Sequence, residues 1–225
     1  MTSKKSVTPK SRRYTLIGGI VGIIAISIAV ACILGAVFLY SSASISMPLA
    51  VRFFDFRIWI PYPNLGYHWN YQAISDLGVG TTSYMFNVGL IITGVLFFPV
   101  FPTLLKPLEY TRTAKIGVLI GIFAVASLIG IGLFSEVTGI YHYTFSVLFW
   151  MPVALVAGVL SLGMRSSSFF SKAVQYIGYF EWAAGWALGV LTVLYGAIPE
   201  WLMLLTLVIW IYPLGTEMVI KGRRA

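Results

Sequence analysis

The chain has 225 residues, of which 59% are hydrophobic, 16% aromatic and only 10% charged, against about 25% charged residues in soluble domains. That excludes a soluble globule, because burying several long apolar runs in one aqueous core of this size would leave too little polar surface to keep the fold dissolved. The single cysteine, Cys32, excludes a disulfide scaffold. The formal charge of +8 does not imply a nucleic-acid partner, because the basic residues are divided among separate short segments.

A spanning helix needs roughly 20 mostly apolar residues. Six runs meet that need, over residues 16–40, 82–105, 114–134, 140–164, 173–196 and 201–220. The sequence therefore predicts an all-α fold, a six-helix transmembrane bundle over 16–220, flanked by a basic amino-terminal segment (1–15) and a basic tail (221–225). Lys4, Lys5, Lys10, Arg12 and Arg13 precede the first run. That run exceeds the roughly 7–15 residues of a signal-peptide core, so it reads as a retained helix.

Orientation follows from where Lys and Arg fall. The amino-terminal five, then Lys106, Arg112 and Lys115, then Arg165 and Lys172, then Lys221, Arg223 and Arg224 alternate onto one side of the predicted bundle, leaving only Arg52 and Arg57 on the other. The positive-inside rule then places both termini in the cytoplasm of a cell-membrane protein.

The first loop, 41–81, is far longer than the others and lies on the extracytoplasmic side. Residues 54–60 alternate, with Phe54, Phe56, Ile58 and Ile60 on one face and Asp55, Arg57 and Trp59 on the other, which predicts an extended segment or short hairpin. Residues 61–66 read as a turn, and the aromatic run Tyr67, His68, Trp69, Asn70, Tyr71 reads as part of a lid or an interfacial belt over the helix ends. Gly18/Gly22, Gly117/Gly121 and Gly185/Gly189 are each spaced four apart, a pattern that allows close helix approach, within one chain or between copies in a homo- or hetero-oligomer.

Ionisable groups inside apolar runs are costly and turn away from lipid. Glu181 lies about nine residues into the fifth run, with Gly178, Gly185 and Gly189 on its face; it reads either as a proton or cation site or as a hydrogen-bonded structural carboxyl. Glu217 reads as an interfacial residue near the end of the sixth run. A second group shares the extracytoplasmic end: His68, Ser75 and Asp76 before the second run, Asn87 within it, Glu136 after the third, His142 opening the fourth, and Glu200 before the sixth. Ser75, Asp76, Asn87, Glu136, His142 and Glu181 are the candidate ligand-binding residues. Asp76, Glu136 and His142 are the candidate catalytic ones. His68, His142, Asp76 and Glu136 are the candidate ligands of a divalent metal, which needs three or four such groups. No HxxxH, HExxH, phosphate loop or nucleophile elbow is present, and the same residues also suit helix capping and bonding of loop backbone.

The order Ser75-Asp76-Leu77-Gly78, Phe86-Asn87-Val88-Gly89-Leu90, Gly132-Leu133-Phe134-Ser135-Glu136 and Ile140-Tyr141-His142 resembles the domain-of-unknown-function 998 family of archaeal and bacterial membrane proteins. The resemblance implies a six-helix membrane protein and marks Ser75, Asp76, Asn87, Glu136 and His142 as positions of the family pattern; Ser135 stands where that pattern has proline. A more distant likeness to the alkaline-ceramidase and adiponectin-receptor group implies Ser, Asp and His near one membrane face, although that group's three-histidine pattern is missing here.

Three functions follow as expectations. The first is a protein that binds membrane lipid or a small amphiphile in a polar extracytoplasmic pocket and acts as an accessory or scaffold component. The second is a metal-assisted lipid hydrolase, and the third a proton or small-solute path lined by Glu181 and Asn87.

Overall fold

The computed structural model describes residues 9–42, 48–53, 56–61, 67, 69, 72–80, 82–195 and 197–223. The predicted apolar runs are helices: α1 (Pro9–Ser42), α2 (Ser83–Phe97) with a one-turn continuation α3 (Val100–Thr103), α4 (Arg112–Leu133), α5 (Ile140–Met164), α6 (Lys172–Tyr195) and α7 (Ala197–Arg223). The fold is an all-α bundle. Two 3-10 turns, Ile74–Gly78 and Glu136–Thr138, lead into α2 and α5.

The helix ends have local causes. Pro99 lies between α2 and α3 and carries no backbone N–H to continue the ladder. The chain then passes Glu109 and Tyr110, both in the left-handed region at φ 55° and 53°, before Thr111 caps α4 by accepting a hydrogen bond from the Ala114 N–H at 3.1 Å. Gly139, at φ 59°, is both the end of the second 3-10 turn and the first cap of α5, a backbone conformation that glycine adopts without steric cost.

Among the described residues, five helical spans, α1, α2 with α3, α4, α5 and α7, are long and apolar enough to cross a membrane. α6, at 24 residues, is not among them. It carries Lys172, Gln175 and Glu181 among weakly hydropathic tyrosines, tryptophans and glycines. Of these, Glu181 is turned inward and buried.

Successive long helices pack side by side around a closed ring, α1 on α2, α2 on α4, α4 on α5, α5 on α6 and α6 on α7, with α7 returning to α1. Large apolar side chains such as Leu34, Phe38, Leu119 and Val190 remain exposed on the outside, the arrangement expected where the solvent is hydrocarbon. In that medium helices associate through close packing rather than water exclusion. The glycines supply it unevenly. A Cβ at Gly18 would lie 2.0 Å from Thr103 Oγ1, at Gly117 2.6 Å from Leu160, at Gly121 2.3 Å from the Phe101 ring and at Gly185 2.7 Å from Ala154, whereas a Cβ at Gly189 would meet nothing within 4 Å. Gly189 thus departs from the expected packing stripe and faces open space.

The first loop contains an antiparallel hairpin, β1 (Pro48–Phe53) with β2 (Phe56–Pro61), in the register Leu49 opposite Ile60 and Arg52 opposite Arg57. β2 falls on the alternating segment, and the pair is a short hairpin, one of the two forms expected there; the expectation did not locate the partner strand at Pro48–Phe53. Phe54 and Asp55, the turn at 62–66, and His68, Asn70 and Tyr71 lie outside the described residues.

Candidate functional site

The 3-10 turn Ile74–Gly78 is wholly buried and sits against α1, α2, α7 and the turn Glu136–Thr138. Its backbone is held by carboxylates: Asp76 Oδ2 accepts from the Ala73 N–H at 2.7 Å, and Glu200 Oε2, from the first turn of α7, accepts from the Ile74 N–H at 2.9 Å. Ser75 Oγ donates to Glu136 Oε1 at 3.2 Å. His142 Nδ1 lies 2.8 Å from the Phe134 carbonyl. A carbonyl only accepts, so Nδ1 carries a proton.

Sequence reasoning did not single out the aromatic brace beneath this turn. Tyr67 packs edge-on between Tyr40, at 5.7 Å, and Trp201, at 5.9 Å between ring centroids. Its hydroxyl lies 2.8 Å from the carbonyls of both Gln72 and Ala73 and accepts from Trp201 Nε1 at 3.1 Å. Gln72 Nε2 in turn donates to the Tyr40 hydroxyl at 3.1 Å. Burial pushes the Tyr67 phenol well above its ordinary value of 10.0, and the Glu200 carboxylate pushes the same way. The unfolded phenol ionises near its ordinary value while the folded one keeps its proton, so stability falls as pH rises past that value. Tyr67→Phe is expected to remove that alkaline loss and to cost about 1 kcal/mol at neutral pH, read as melting midpoints of the detergent-purified protein on either side of pH 10.

Of the candidate residues, the fold gathers Ser75, Asp76, Glu136 and His142 at one end of the bundle, joined there by Glu200. Asn87 lies beside them in α2, where its Nδ2 donates to the Gly78 carbonyl at 3.1 Å; it holds the turn rather than facing a cavity. Glu181 lies elsewhere, about halfway along α6. Glu217 takes an interfacial role at the opposite end of the bundle. It accepts from the Ser171 N–H at 2.9 Å and pairs with Lys221 at 2.7 Å, joining the start of α6 to the end of α7. Among the described residues, no three His, Cys, Asp or Glu side chains stand close enough together to hold a metal ion; His68, one of the four candidate ligands, is outside them.

Two cavities meet at the polar end. A narrow central cavity of about 110 Å³ runs down the ring between α1, α2, α4, α5 and α7, from Ser75, His142 and Glu200 to Leu104 and Met218. A cleft of about 300 Å³ lies between α5 and α6, walled by Val147, Met151, Ala154, Trp186, Gly189 and Val190. Ser75, His142, Ser146, Trp150 and Glu200 line both. Hydrogen-bonding groups are thus concentrated at one end of two otherwise apolar spaces, the arrangement by which a ligand site fixes orientation.

The fold and these spaces define a membrane-embedded helical bundle with mostly apolar internal spaces that carry polar groups at one end. The family described as "Protein of unknown function (DUF998)" matches residues 58–217, and the chain belongs to that family. No curated protein and no solved structure matches the chain.

Proposed function

We propose that this protein is a six-span cell-membrane protein with both termini cytoplasmic. In this reading it binds a membrane lipid or small amphiphile, with the head at Ser75, His142 and Glu200 and the chain in the α5–α6 cleft, and serves as an accessory or scaffold component. The observation that carries this reading is the sharing of those polar residues between two apolar spaces. A headgroup seated there meets carboxylates, a hydroxyl and the His142 imidazole, while its tail stays among Met151, Trp186 and Val190. The cleft reaches the lower end of the size range of small-ligand sites, about 300 Å³. No nucleophile or metal set is required for binding. The uneven spread of Lys and Arg supports the orientation, and the turning inward of Glu181 supports α6 as the sixth span.

Native mass spectrometry of protein extracted from membranes in mild detergent tests the proposal. One amphiphile per chain is expected to survive extraction, with its occupancy reduced at least about tenfold in Glu200→Leu, a loss of about 1.4 kcal/mol. A wild-type protein that carries only graded, variable numbers of bulk lipids would overturn the reading.

A further inference from the structure

A second polar cluster, separate from the loop-end site, lies between α5, α6 and α7. Ser161, Glu181 and Trp210 are 0%, 1% and 2% exposed, and in each a buried polar atom, Ser161 Oγ, Glu181 Oε2 and Trp210 Nε1, has no hydrogen-bond partner. They come from three different helices and gather along one turn of α6. The Cβ position of Gly178 lies 2.0 Å from Ser161 Oγ and 3.1 Å from Trp210 Nε1, and Glu181 follows one turn later on the same face. Because residue 178 has no side chain, the hydroxyl and the indole N–H both reach the α6 backbone. The neighbouring polar groups are already engaged: Thr206, whose Oγ1 donates to the Met203 carbonyl at 3.0 Å, is also the side-chain hydrogen-bond partner of the Glu181 carboxyl, which still leaves Oε2 without one, and Gln175 Nε2 donates to the Ser161 carbonyl at 3.0 Å.

A buried polar atom left without a partner costs about 1–3 kcal/mol, and three such atoms on three packed helices are costly unless a further group bonds them. Their chemistry selects the occupant. The indole N–H is a donor only, the Glu181 oxygen provides an acceptor, and the hydroxyl does either. A cation would face the positive end of the N–H, and an anion would face the carboxyl oxygens. A small neutral molecule that both donates and accepts satisfies all three, and a buried water typically makes about three such bonds. Gly185, whose Cβ position lies 2.7 Å from Ala154 and 3.7 Å from Glu181 Oε1, closes the α5–α6 contact beside the carboxyl.

We propose that α5, α6 and α7 enclose a water-binding site between the Ser161 hydroxyl, the Glu181 carboxyl and the Trp210 indole N–H. The site stands apart from the amphiphile reading, and it separates Glu181 from Asn87, which is bound to Gly78 at the loop end. It places water beside a carboxyl group halfway along a helix of the bundle.

The test is solvent exchange of the Trp210 indole proton in full-length protein in micelles, with tryptophan labelled in the indole nitrogen and the Trp210 resonance assigned by its loss in Trp210→Phe. On transfer to D2O the Trp210 signal is expected to decay at least about tenfold faster in the unmodified protein than in Ser161→Val, whose second methyl fills the water's place. Ser161→Ala, which keeps the space, is expected to stay within about threefold of the unmodified rate. Should Ser161→Val fail to fold, Glu181→Leu, which removes the carboxyl partner, is read in the same way. An indole proton that does not exchange in the unmodified protein overturns the proposal, as does a rate unchanged by the filling substitution.

Discussion

Gly132→Val is expected to destabilise the bundle by about 3 kcal/mol, the upper part of the range for overpacking a filled interior, and to lower the melting midpoint by about 6–12 °C for a chain of this size. Gly132 lies near the end of α4 where it crosses α2. A Cβ there would stand 2.6 Å from the backbone carbonyl of Asn87 and 3.3 Å from the backbone nitrogen of Ile91, with Ile91 Cγ1 at 2.7 Å. Two of those atoms are main chain of a helix, so no rotamer change relieves the clash and the two helices have to separate. Separation is costly here because the same stretch of α2 carries Asn87, which holds the Gly78 carbonyl, and Gly89, whose Cβ position lies 2.5 Å from Cys32 on α1. Gly22→Ala is the internal comparison. Its Cβ would meet Val100 at 3.5 Å, an ordinary contact, and its midpoint is expected to move by no more than about 2 °C. Scanning calorimetry or dye-reported melting in one detergent measures both. Equal midpoints for Gly132→Val and the unmodified protein would show that the α2–α4 crossing is not closely packed.

Glycine spacing made part of this legible. Four-residue spacing correctly marks Gly18, Gly117, Gly121 and Gly185 as contact positions, because a helix face repeats at that interval. It does not mark Gly132, which is singled out only by the crossing of α4 over α2, and it wrongly includes Gly189, whose neighbour across the interface is a cleft. Periodicity reports which face a residue shares and is silent about what lies opposite.

The polar residues divide in the same way. Ser75, Asp76, Glu136 and His142 were recognisable as an end-of-bundle group because each borders an apolar run on the same predicted side. Several of their partners were not, since Asp76 and His142 bond main-chain groups of Ala73 and Phe134, and Glu200 that of Ile74, which carry no mark in a sequence. Tyr67 sat in the sequence among other aromatics, and only its placement between Tyr40 and Trp201 distinguishes it. The burial of Glu181 followed from the glycines around it. Ser161 and Trp210 had no such signal: a serine and a tryptophan in membrane helices are ordinary until three helices bring their unpartnered atoms together.

The cleft between α5 and α6 supplies the second large effect. Gly189→Trp is expected to abolish amphiphile binding, lowering occupancy by at least about tenfold, or about 1.4 kcal/mol, while leaving the melting midpoint within about 2 °C of the unmodified protein. The two halves of that expectation have different origins. A Cβ at residue 189 meets nothing within 4 Å, so the new side chain does not push helices apart as valine at 132 does. It instead occupies the space walled by Val147, Met151 and Val190, where an acyl chain would lie. Alanine at 189 adds a single methyl to that space and is expected to leave occupancy within about twofold. Binding that survives Gly189→Trp but is lost in Glu200→Leu would place the chain of the ligand in the central cavity, along Ile33, Phe86 and Leu128, rather than between α5 and α6. Loss in both variants, with intact melting, would fix the head at the polar end and the tail in the cleft. The ligand would then reach its site from the side of the bundle, because the α5–α6 cleft borders the exposed residues Tyr143, Val147 and Val190.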